Sequence, residues 1–275
     1  MQKLTGGDSV SKREHCEANW LVSHEPKYDE RKFHFQTASK TKITETNLNH
    51  YDFRDLKYLI QSKKKIMKKN YISNSTESVR MFKSNFLESF SKVHFAVPLV
   101  IYVPLIGFLV FKAFAQQITV FNFFMYYIIG LFVWTITEYL LHRFIFHYQP
   151  TSKFGLRLHF IFHGVHHDYP KDAKRLVLPP SASIPLAILF YFLFSLVIKN
   201  STLLFAFYSG FISGYLCYDM LHYAIHHANP KSSILKKIKQ HHMLHHYSDD
   251  TKGYGVSSAL WDVILKSDFP KKKIK

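Results

Sequence analysis

Histidine is the residue type in this sequence whose number and spacing indicate a chemical function. Thirteen of its 18 histidines fall between positions 142 and 246, in four groups that read HRFIFH, HFIFHGVHH, HYAIHH and HHMLHH. Neutral imidazole is a good ligand for divalent iron and zinc. Two metal ions with about five ligands each need about ten imidazoles, which the spaced positions of the four groups supply. These positions are His142, His147, His163, His166, His167, His222, His226, His242, His245 and His246.

The spacing within the groups indicates α-helices, because residues at i, i+3 and i+4 share one helix face. Segments 163–167 (HGVHH) and 242–246 (HMLHH) follow this pattern. His142 and His147 are five residues apart, about 140° around an α-helix, which would allow them to reach two different metals.

Three further histidines belong to the same groups but fall outside these spacings. They are His159, His227 and His241. A supporting or surface role explains them at least as well as metal ligation does.

Four long uncharged stretches flank the histidines and must position them. They cover residues 95–111, 118–137, 181–198 and 201–218. A helix needs roughly 17–25 predominantly apolar residues to cross a bilayer, so each stretch predicts a transmembrane helix. The links between the first two stretches and between the last two are short, which predicts two helical hairpins. All four histidine groups then lie on one side of the membrane.

The charge of the chain agrees with a membrane protein. It carries 36 Lys and Arg against 19 Asp and Glu, a net charge of +17. Nucleic acid, anionic lipid and acidic substrates could each explain that balance, and the apolar stretches favour lipid. Apart from Lys112 and Lys199, the basic residues fall on the histidine side, which the positive-inside rule makes cytosolic. Two cysteines, Cys16 and Cys217, fit a reducing compartment.

Composition divides the chain into three parts. Residues 1–80 are basic and polar, with a lysine run at 63–69, and we expect them to lack a core. Residues 81–270 form the membrane-embedded domain, and 271–275 are a basic tail. The final KKIK is either a dilysine retrieval signal for the endoplasmic reticulum, with both termini cytosolic, or a plain basic tail. In a bacterial source, the location would be the inner membrane.

Six motifs resemble the fatty acid 2-hydroxylase family, within the fatty acid hydroxylase superfamily. They are HRFIFH, HFIFHGVHH, RLVLPP, YDMLHY, HHMLHH and YGVSSALWD, in that order between residues 142 and 262, and the resemblance as a whole runs from about Ser78 to about Leu265. The resemblance implies an all-α membrane protein with four transmembrane helices and a cytosolic helical cap that holds a dimetal site. The ten histidines above would be its ligands. The resemblance also places Tyr218 and Asp219 near the metals. Asp219 either orients a ligand imidazole or is a charge at the helix end near the membrane interface.

The implied reaction is hydroxylation of C2 of a long-chain fatty acyl group, free or in ceramide, for the synthesis of 2-hydroxy sphingolipids. The oxidant would come from O₂ at two iron ions. Iron follows from the chemistry rather than from the ligands, and zinc is the alternative ion for a purified form. We expect the acyl chain to lie in an apolar groove near residues 175–180. Arg175 is either a contact for the substrate headgroup or a cation at the membrane interface.

One feature of many family members is missing from this sequence. They begin with a cytochrome b5-like haem domain, marked by an HPGG motif that does not occur here. We therefore predict no bound haem in this chain. Either a separate cytochrome b5-type donor and its reductase supply the electrons, or the sequence begins part-way through a longer product.

Two other functions compete with this interpretation. A sterol or sphingoid-base hydroxylase or desaturase of the same superfamily would share the metal motifs. A histidine-rich membrane metal transporter belongs to a different class and would want ionisable groups inside its spans. The four apolar stretches contain neither charged residues nor histidine between their ends, which argues against a transport path. No partnership with nucleic acid is predicted.

Overall fold

The computed structural model describes residues 72–270, and all regular secondary structure in this part of the chain is helical. The α-helices are α1 (Asn85–Phe90), α2 (Ala96–Ala115), α3 (Val120–Leu140), α4 (Lys153–His159), α5 (Val165–Asp168), α6 (Pro180–Val197), α7 (Ser201–His227), α8 (Ser233–Tyr247) and α9 (Leu260–Ile264). Two π-helical turns interrupt them, Leu141–Phe146 after α3 and Phe160–Gly164 between α4 and α5. The all-α prediction is confirmed. The lysine run at 63–69 and the tail 271–275 lie outside the described residues.

Three helices within residues 72–270 are long and apolar enough to cross a membrane. They are α2, α3 together with its π-helical extension to Phe146, and α6. Helix α7 has 27 residues but is less apolar, because small and polar side chains such as Ser209 and Ser213 lie along its buried length. The structure thus supports a membrane protein with three candidate spans, and the predicted fourth span coincides with α7.

The ends of these helices follow local sequence signals. The Thr119 hydroxyl caps α3 by accepting a hydrogen bond from the Asn122 amide at 3.2 Å. The Asn200 side chain caps α7 in the same way, accepting from the Leu203 amide at 3.1 Å. Such caps satisfy amides that have no partner inside the helix. They allow α3 and α7 to begin only a few residues after the preceding helix ends.

Helix α7 is the central helix of the bundle and packs along both α3 and α2. Glycines allow the backbones to approach closely. A Cβ atom at Gly130 would lie 2.0 Å from the Phe207 carbonyl oxygen, and one at Gly210 would lie 2.0 Å from the Tyr127 carbonyl oxygen. Small residues at membrane-helix contacts permit this packing, which fixes the end of α7 that carries His222.

The outer surface of the bundle is apolar. Phe121 on α3 is 76% exposed and Val197 on α6 is 79% exposed. In helix α6, Ser183 is the buried residue. Apolar surface of this extent is typical of a face that contacts lipid.

The long helices extend past the apolar stretches that predicted them. Helix α3 and its π-helical turn continue to Phe146, and α7 continues to His227. The first and third histidine motifs therefore stand on direct extensions of these two helices. A helix transmits the position of its buried half rigidly to its end, so the packing of α3 on α7 also sets the distance between these two motifs.

Candidate metal centre

The ten histidines predicted as ligands lie in two groups of five. Within each group, one ring nitrogen from every histidine lies within 4.8 Å of all the others. The first group is His142, His147, His163, His167 and His245, and the second group is His166, His222, His226, His242 and His246. The groups adjoin, since the rings of His167 and His246 stack with centroids 4.3 Å apart. The chain therefore has two neighbouring candidate metal sites with five histidines each.

Each HxxHH motif contributes to both groups. In the motif on α5 and the preceding π-turn, His163 and His167 belong to the first group and His166 to the second. The motif on α8 does the reverse: only its middle histidine, His245, joins the first group. Positions i+3 and i+4 lie on opposite sides of the line through position i, about 60° and 40° away. Each helix can therefore pass between the two sites and serve both.

His142 and His147 lie in the same group, so they face one candidate metal site and not the two that an α-helical spacing would allow. The reason is the π-helical turn. The His147 amide donates to the His142 carbonyl at 3.1 Å, an i→i+5 hydrogen bond that replaces the α-helical pattern. This wider turn brings residues five apart back to nearly the same face, whereas an α-helix would separate them by about 140°.

The contacts among the ring nitrogens of the second group fit a metal ion. The His242 Nε2 atom lies 3.0, 2.9 and 3.0 Å from the Nε2 atoms of His222, His226 and His246. A ring nitrogen offers either one hydrogen or one lone pair, so hydrogen bonds cannot satisfy three such contacts at once. Imidazole nitrogens about 2.1 Å from a shared cation, at right angles, stand about 3.0 Å apart. The spacing matches that arrangement.

The first group repeats this pattern. The His163 Nε2 atom lies 3.0 Å from the Nε2 atoms of both His142 and His167. On its other side, the Nε2 atoms of His245 and His147 are also 3.0 Å apart. Both groups thus present converging Nε2 atoms, the donor type and spacing that a divalent transition metal requires.

Burial keeps these imidazoles neutral. Removal from water, and then the neighbouring imidazoles, hold the pKa of four of the side chains well below the ordinary 6.5. They are His163, His166, His167 and His246. A neutral imidazole keeps the lone pair that metal ligation needs. The electrostatic state of the site therefore agrees with its geometry.

The three remaining histidines of the motifs lie outside both groups. His227 packs against Tyr223, with ring centroids 4.8 Å apart. The His241 Nε2 atom lies 3.3 Å from a carboxylate oxygen of Asp268. His159 is a half-buried side chain at the end of α4. None of the three has a ring nitrogen within either group of five.

An apolar cavity of about 1060 Å³, a volume that includes its solvent-open part, reaches the two histidine groups. His163 of the first group and His166 and His222 of the second line it. Its walls come from α3, α6 and α7 and from residues 176–179, which belong to the RLVLPP motif. A ligand with an apolar tail can therefore meet both histidine groups at one end of the cavity.

Tyr218 and Asp219 both line this cavity. The Tyr218 ring lies nearly parallel to His222, with centroids 5.8 Å apart. Asp219 accepts hydrogen bonds from the Leu178 amide and the Tyr215 hydroxyl, each at 3.3 Å. Asp219 thus ties the RLVLPP segment to α7, and its hydrogen bonds do not go to an imidazole.

Arg175 lines the cavity but is itself buried among hydrogen-bonding partners. Its guanidinium donates to Glu88 at 2.7 Å, to the Ser91 hydroxyl at 2.9 Å and to the Val79 carbonyl. Asp172 adds a second carboxylate, 3.3 Å from the Arg175 Nε atom. These contacts fasten the segment before α2 to the cavity wall, and the proposed headgroup role of Arg175 stays a prediction.

Glu138 is a functional candidate that the sequence analysis missed. It is buried on α3, four residues before His142. It accepts hydrogen bonds from the amides of Val256 and Ser257, at 2.9 and 2.7 Å. The signal in the sequence was a lone carboxylate at the end of an apolar helix, one turn before a predicted ligand.

Comparisons with known proteins agree with this site. The model of the Fatty acid hydroxylase family matches residues 127–267, which include all ten histidines. A dihydroceramide fatty acyl 2-hydroxylase of Arabidopsis thaliana is 36% identical over 190 residues, covering 69% of this chain and 79% of that protein. The fatty acid 2-hydroxylase of Rattus norvegicus is 35% identical, covering 70% of this chain but only 57% of that protein.

A solved structure is similar as well. It is described as full-length scs7p, with only the hydroxylase domain visible, and it is 34% identical with a TM-score of 0.65. The match covers 69% of this chain and 72% of that one. Sequence, fold and histidine arrangement lead to the same assignment, and the chain belongs to the fatty acid hydroxylase family of oxidoreductases.

Proposed function

We propose that this protein is a di-iron oxygenase that hydroxylates C2 of long-chain fatty acyl groups, free or in ceramide. The observation that carries the proposal is the pair of five-histidine groups at the end of a single apolar cavity. The names of the relatives, which include dihydroceramide fatty acyl and fatty acid 2-hydroxylases, favour position 2 and an acyl substrate.

The histidine groups would hold one iron ion each. Bound iron supplies the redox chemistry by which O₂ can oxidise an unactivated methylene, which side chains alone cannot do. In balance, the substrate C–H becomes C–OH while O₂, two electrons and two protons also yield one water. Because the imidazoles are neutral and no carboxylate is among the ten, each site would keep the full charge of its ion.

The chain's own residues would position the substrate and exclude water from it. Residues 176–179 and the facing side chains of α6 and α7 form apolar walls that exclude water from an acyl chain. Asp219 keeps this wall in place through Leu178. The ring of Tyr218 lies beside His222 and would bound the space around C2. Rigid placement of the reacting carbon near the oxidant is the main contribution a protein scaffold can make here.

We propose four spans, with α7 as the fourth, and a histidine end on the cytosolic side. This topology is supported by the short links before α3 and α7 and by the excess of basic residues at the histidine end. The endoplasmic reticulum is the proposed membrane in a eukaryotic source. A separate cytochrome b5-type protein and its reductase would deliver the two electrons.

The test is expression of the chain in cells that lack 2-hydroxylated lipids, together with a cytochrome b5-type donor, followed by mass spectrometry of sphingolipids and free fatty acids. We expect 2-hydroxy acyl products. Folded, iron-loaded protein that yields no such product would refute the proposed reaction. Hydroxylated sterols or sphingoid bases in its place would assign the chain to the other substrate class.

A further inference from the structure

The YGVSSALWD motif near the end of the chain contributes no histidine to either group. Its start forms part of a mostly buried loop, residues 252–257, that contacts the first histidine group. We call these residues the closing loop. Two of its backbone carbonyls face ring nitrogens of the first group. The His142 Nδ1 atom lies 2.5 Å from the Tyr254 oxygen, and the His245 Nδ1 atom lies 2.6 Å from the Lys252 oxygen.

These two contacts fix the tautomer of both histidines. A carbonyl oxygen can only accept, so each Nδ1 atom must carry the hydrogen. The Nε2 atom of each ring then carries the lone pair, and it is the Nε2 atoms of His142 and His245 that face His163 and His147. A hydrogen bond at the far nitrogen orients a ligand imidazole and raises its basicity.

The closing loop has no regular secondary structure, so something else must hold its carbonyls in place. Glu138 holds one end. Its Oε1 atom accepts from the Val256 and Ser257 amides, and its Oε2 atom accepts from the Ser257 hydroxyl at 2.6 Å. Glu138 lies one turn before His142 on the same helix, so it ties the loop to the element that carries the ligand.

Asp262 holds the middle of the loop. Its two oxygens accept from the amides of Tyr254 and Gly255, at 2.9 and 2.8 Å. The Ser267 hydroxyl donates to the same carboxylate at 2.8 Å and lies 2.7 Å from the Tyr139 hydroxyl on α3. Both carboxylates are almost completely buried, and four of the loop's amides end on them.

We propose that Glu138 and Asp262 are positioning residues for the first metal site, acting through the backbone of the closing loop on His142 and His245. The inference rests on the proposed metal centre and extends it to residues that touch no ligand atom. In the second group, His222, His226, His242 and His246 stand on α7 and α8, and within residues 72–270 no hydrogen bond joins the closing loop to that group. Loosening the loop should weaken one site and leave the other intact.

The test measures metal retention rather than catalysis. The full chain is purified in detergent with iron or zinc bound, and release to a chelator is followed together with the metal content per chain. In the wild type we expect two slowly released ions. In Glu138→Gln, which keeps the size of the side chain, we expect one of the two ions to leave at least about tenfold faster and the other at the wild-type rate. Glu138→Ala should show the same selectivity with a larger effect.

Glu88→Gln is the matched control. Glu88 is also a buried glutamate, with one oxygen accepting two amides, those of Met81 and Phe82, but it lies away from the closing loop. We expect both ions to leave at the wild-type rate in this variant. His147→Ala removes a histidine of the first group, so adding it to Glu138→Gln should abolish the rapidly released ion. His226→Ala removes a histidine of the second group, so adding it should leave the rapidly released ion in place.

Faster release of both ions in Glu138→Gln, or of neither, would overturn the inference. So would equal selectivity in the Glu88→Gln control, because any buried carboxylate would then have the same effect. A wild-type chain that binds fewer than two ions would instead refute the metal centre on which the inference rests. Loss of hydroxylation with both ions retained would count against the inference as well, since it would place the role of Glu138 elsewhere.

Discussion

His166 and His245 hold the same position in the two HxxHH motifs, and each belongs to the histidine group to which the other motif gives two ligands. His166 joins His242 and His246 of the second group, while His245 joins His163 and His167 of the first. The two short helical segments thus contribute to both histidine groups. Neither candidate metal site is complete unless both segments are in place.

This exchange predicts what single substitutions do. His166→Ala should deplete the second site and His245→Ala the first, each leaving close to one metal ion per chain by elemental analysis. Hydroxylation should fall by more than the roughly 10–100-fold that loss of a residue supporting a ligand costs. His227→Ala is the control, because that ring packs on Tyr223 outside both groups. Equal loss of activity in all three variants would contradict this division.

Metal removal should destabilise the protein. Converging neutral imidazoles bind an ion in the folded state and not in the unfolded one, so each ion adds about 4 kcal/mol when present at about 1,000 times its Kd. Chelation should therefore lower the Tm by several degrees, and added iron or zinc should restore it. A variant without the second group's central ligand, His242→Ala, should show a smaller shift. An unchanged Tm on chelation would argue against two structural metal sites.

The contact of α7 with α3 should tolerate no side chain at Gly210. A Cβ atom there would lie 2.0 Å from the Tyr127 carbonyl oxygen, so Gly210→Ala should destabilise the fold by about 1–3 kcal/mol through overpacking. Gly107 is a matched control on α2, because no atom lies within 4 Å of its Cβ position. Gly107→Ala should be neutral or stabilising by up to about 1 kcal/mol. Thermal unfolding in detergent distinguishes the two.

Ala187 is predicted to influence chain length. It lines the cavity and also an apolar groove formed by α2, α6 and α7, so we expect a long acyl chain to run past it. Ala187→Phe should shift the products towards shorter chains, as measured by lipid mass spectrometry with mixed acyl substrates. Leu189→Phe changes a half-exposed residue of the same helix that lines neither space and should leave the profile unchanged. A uniform loss across all chain lengths in Ala187→Phe would contradict this path.

Glu88 should give a pH-dependent contribution to stability. Burial alone would raise its pKa, but hydrogen bonds from the Phe82 and Met81 amides and from Lys92, with the charge of Arg175, lower the pKa below the ordinary 4.5. A carboxyl whose pKa is lower in the folded state stabilises it above pH 4.5, and this contribution disappears as pH falls through the lower value. The Tm difference between wild type and Glu88→Gln should shrink only below about pH 4.5. A difference that shrinks at higher pH would contradict the lowered pKa.

The sequence predicted the helices and the ten histidines because both leave a regular trace. Apolar length marked the long helices to within a few residues at their starts, as at Thr119 and Asn200. The end of α6 matched its apolar run, but the ends of α3 and α7 were missed because these helices continue past theirs; α7 continues through Asp219 to His227. Those residues are polar yet buried by their neighbours, which composition alone does not reveal.

The distribution of ligands between the sites could not be predicted in the same way. For His142 and His147, the separation of about 140° assumes an α-helix, but the segment forms a π-helical turn. No residue in HRFIFH is a sequence signal for such a turn. The contacts of Glu138 and His142 with the closing loop join residues more than 100 positions apart in the sequence. Such pairings depend on the tertiary path of the chain, so a single sequence carries little trace of them.

The π-helical turn after α3 also explains how two motifs with different histidine spacings can each place both histidines in one group. HRFIFH separates its histidines by four residues, and HYAIH, at the end of α7, separates them by three. Counted in turns of helix, the two spacings are the same: each pair is one turn apart and serves one site. Deleting one residue between His142 and His147 would therefore give the two motifs the same spacing. It would also shorten the π-helical turn that places His142 and His147 in one histidine group.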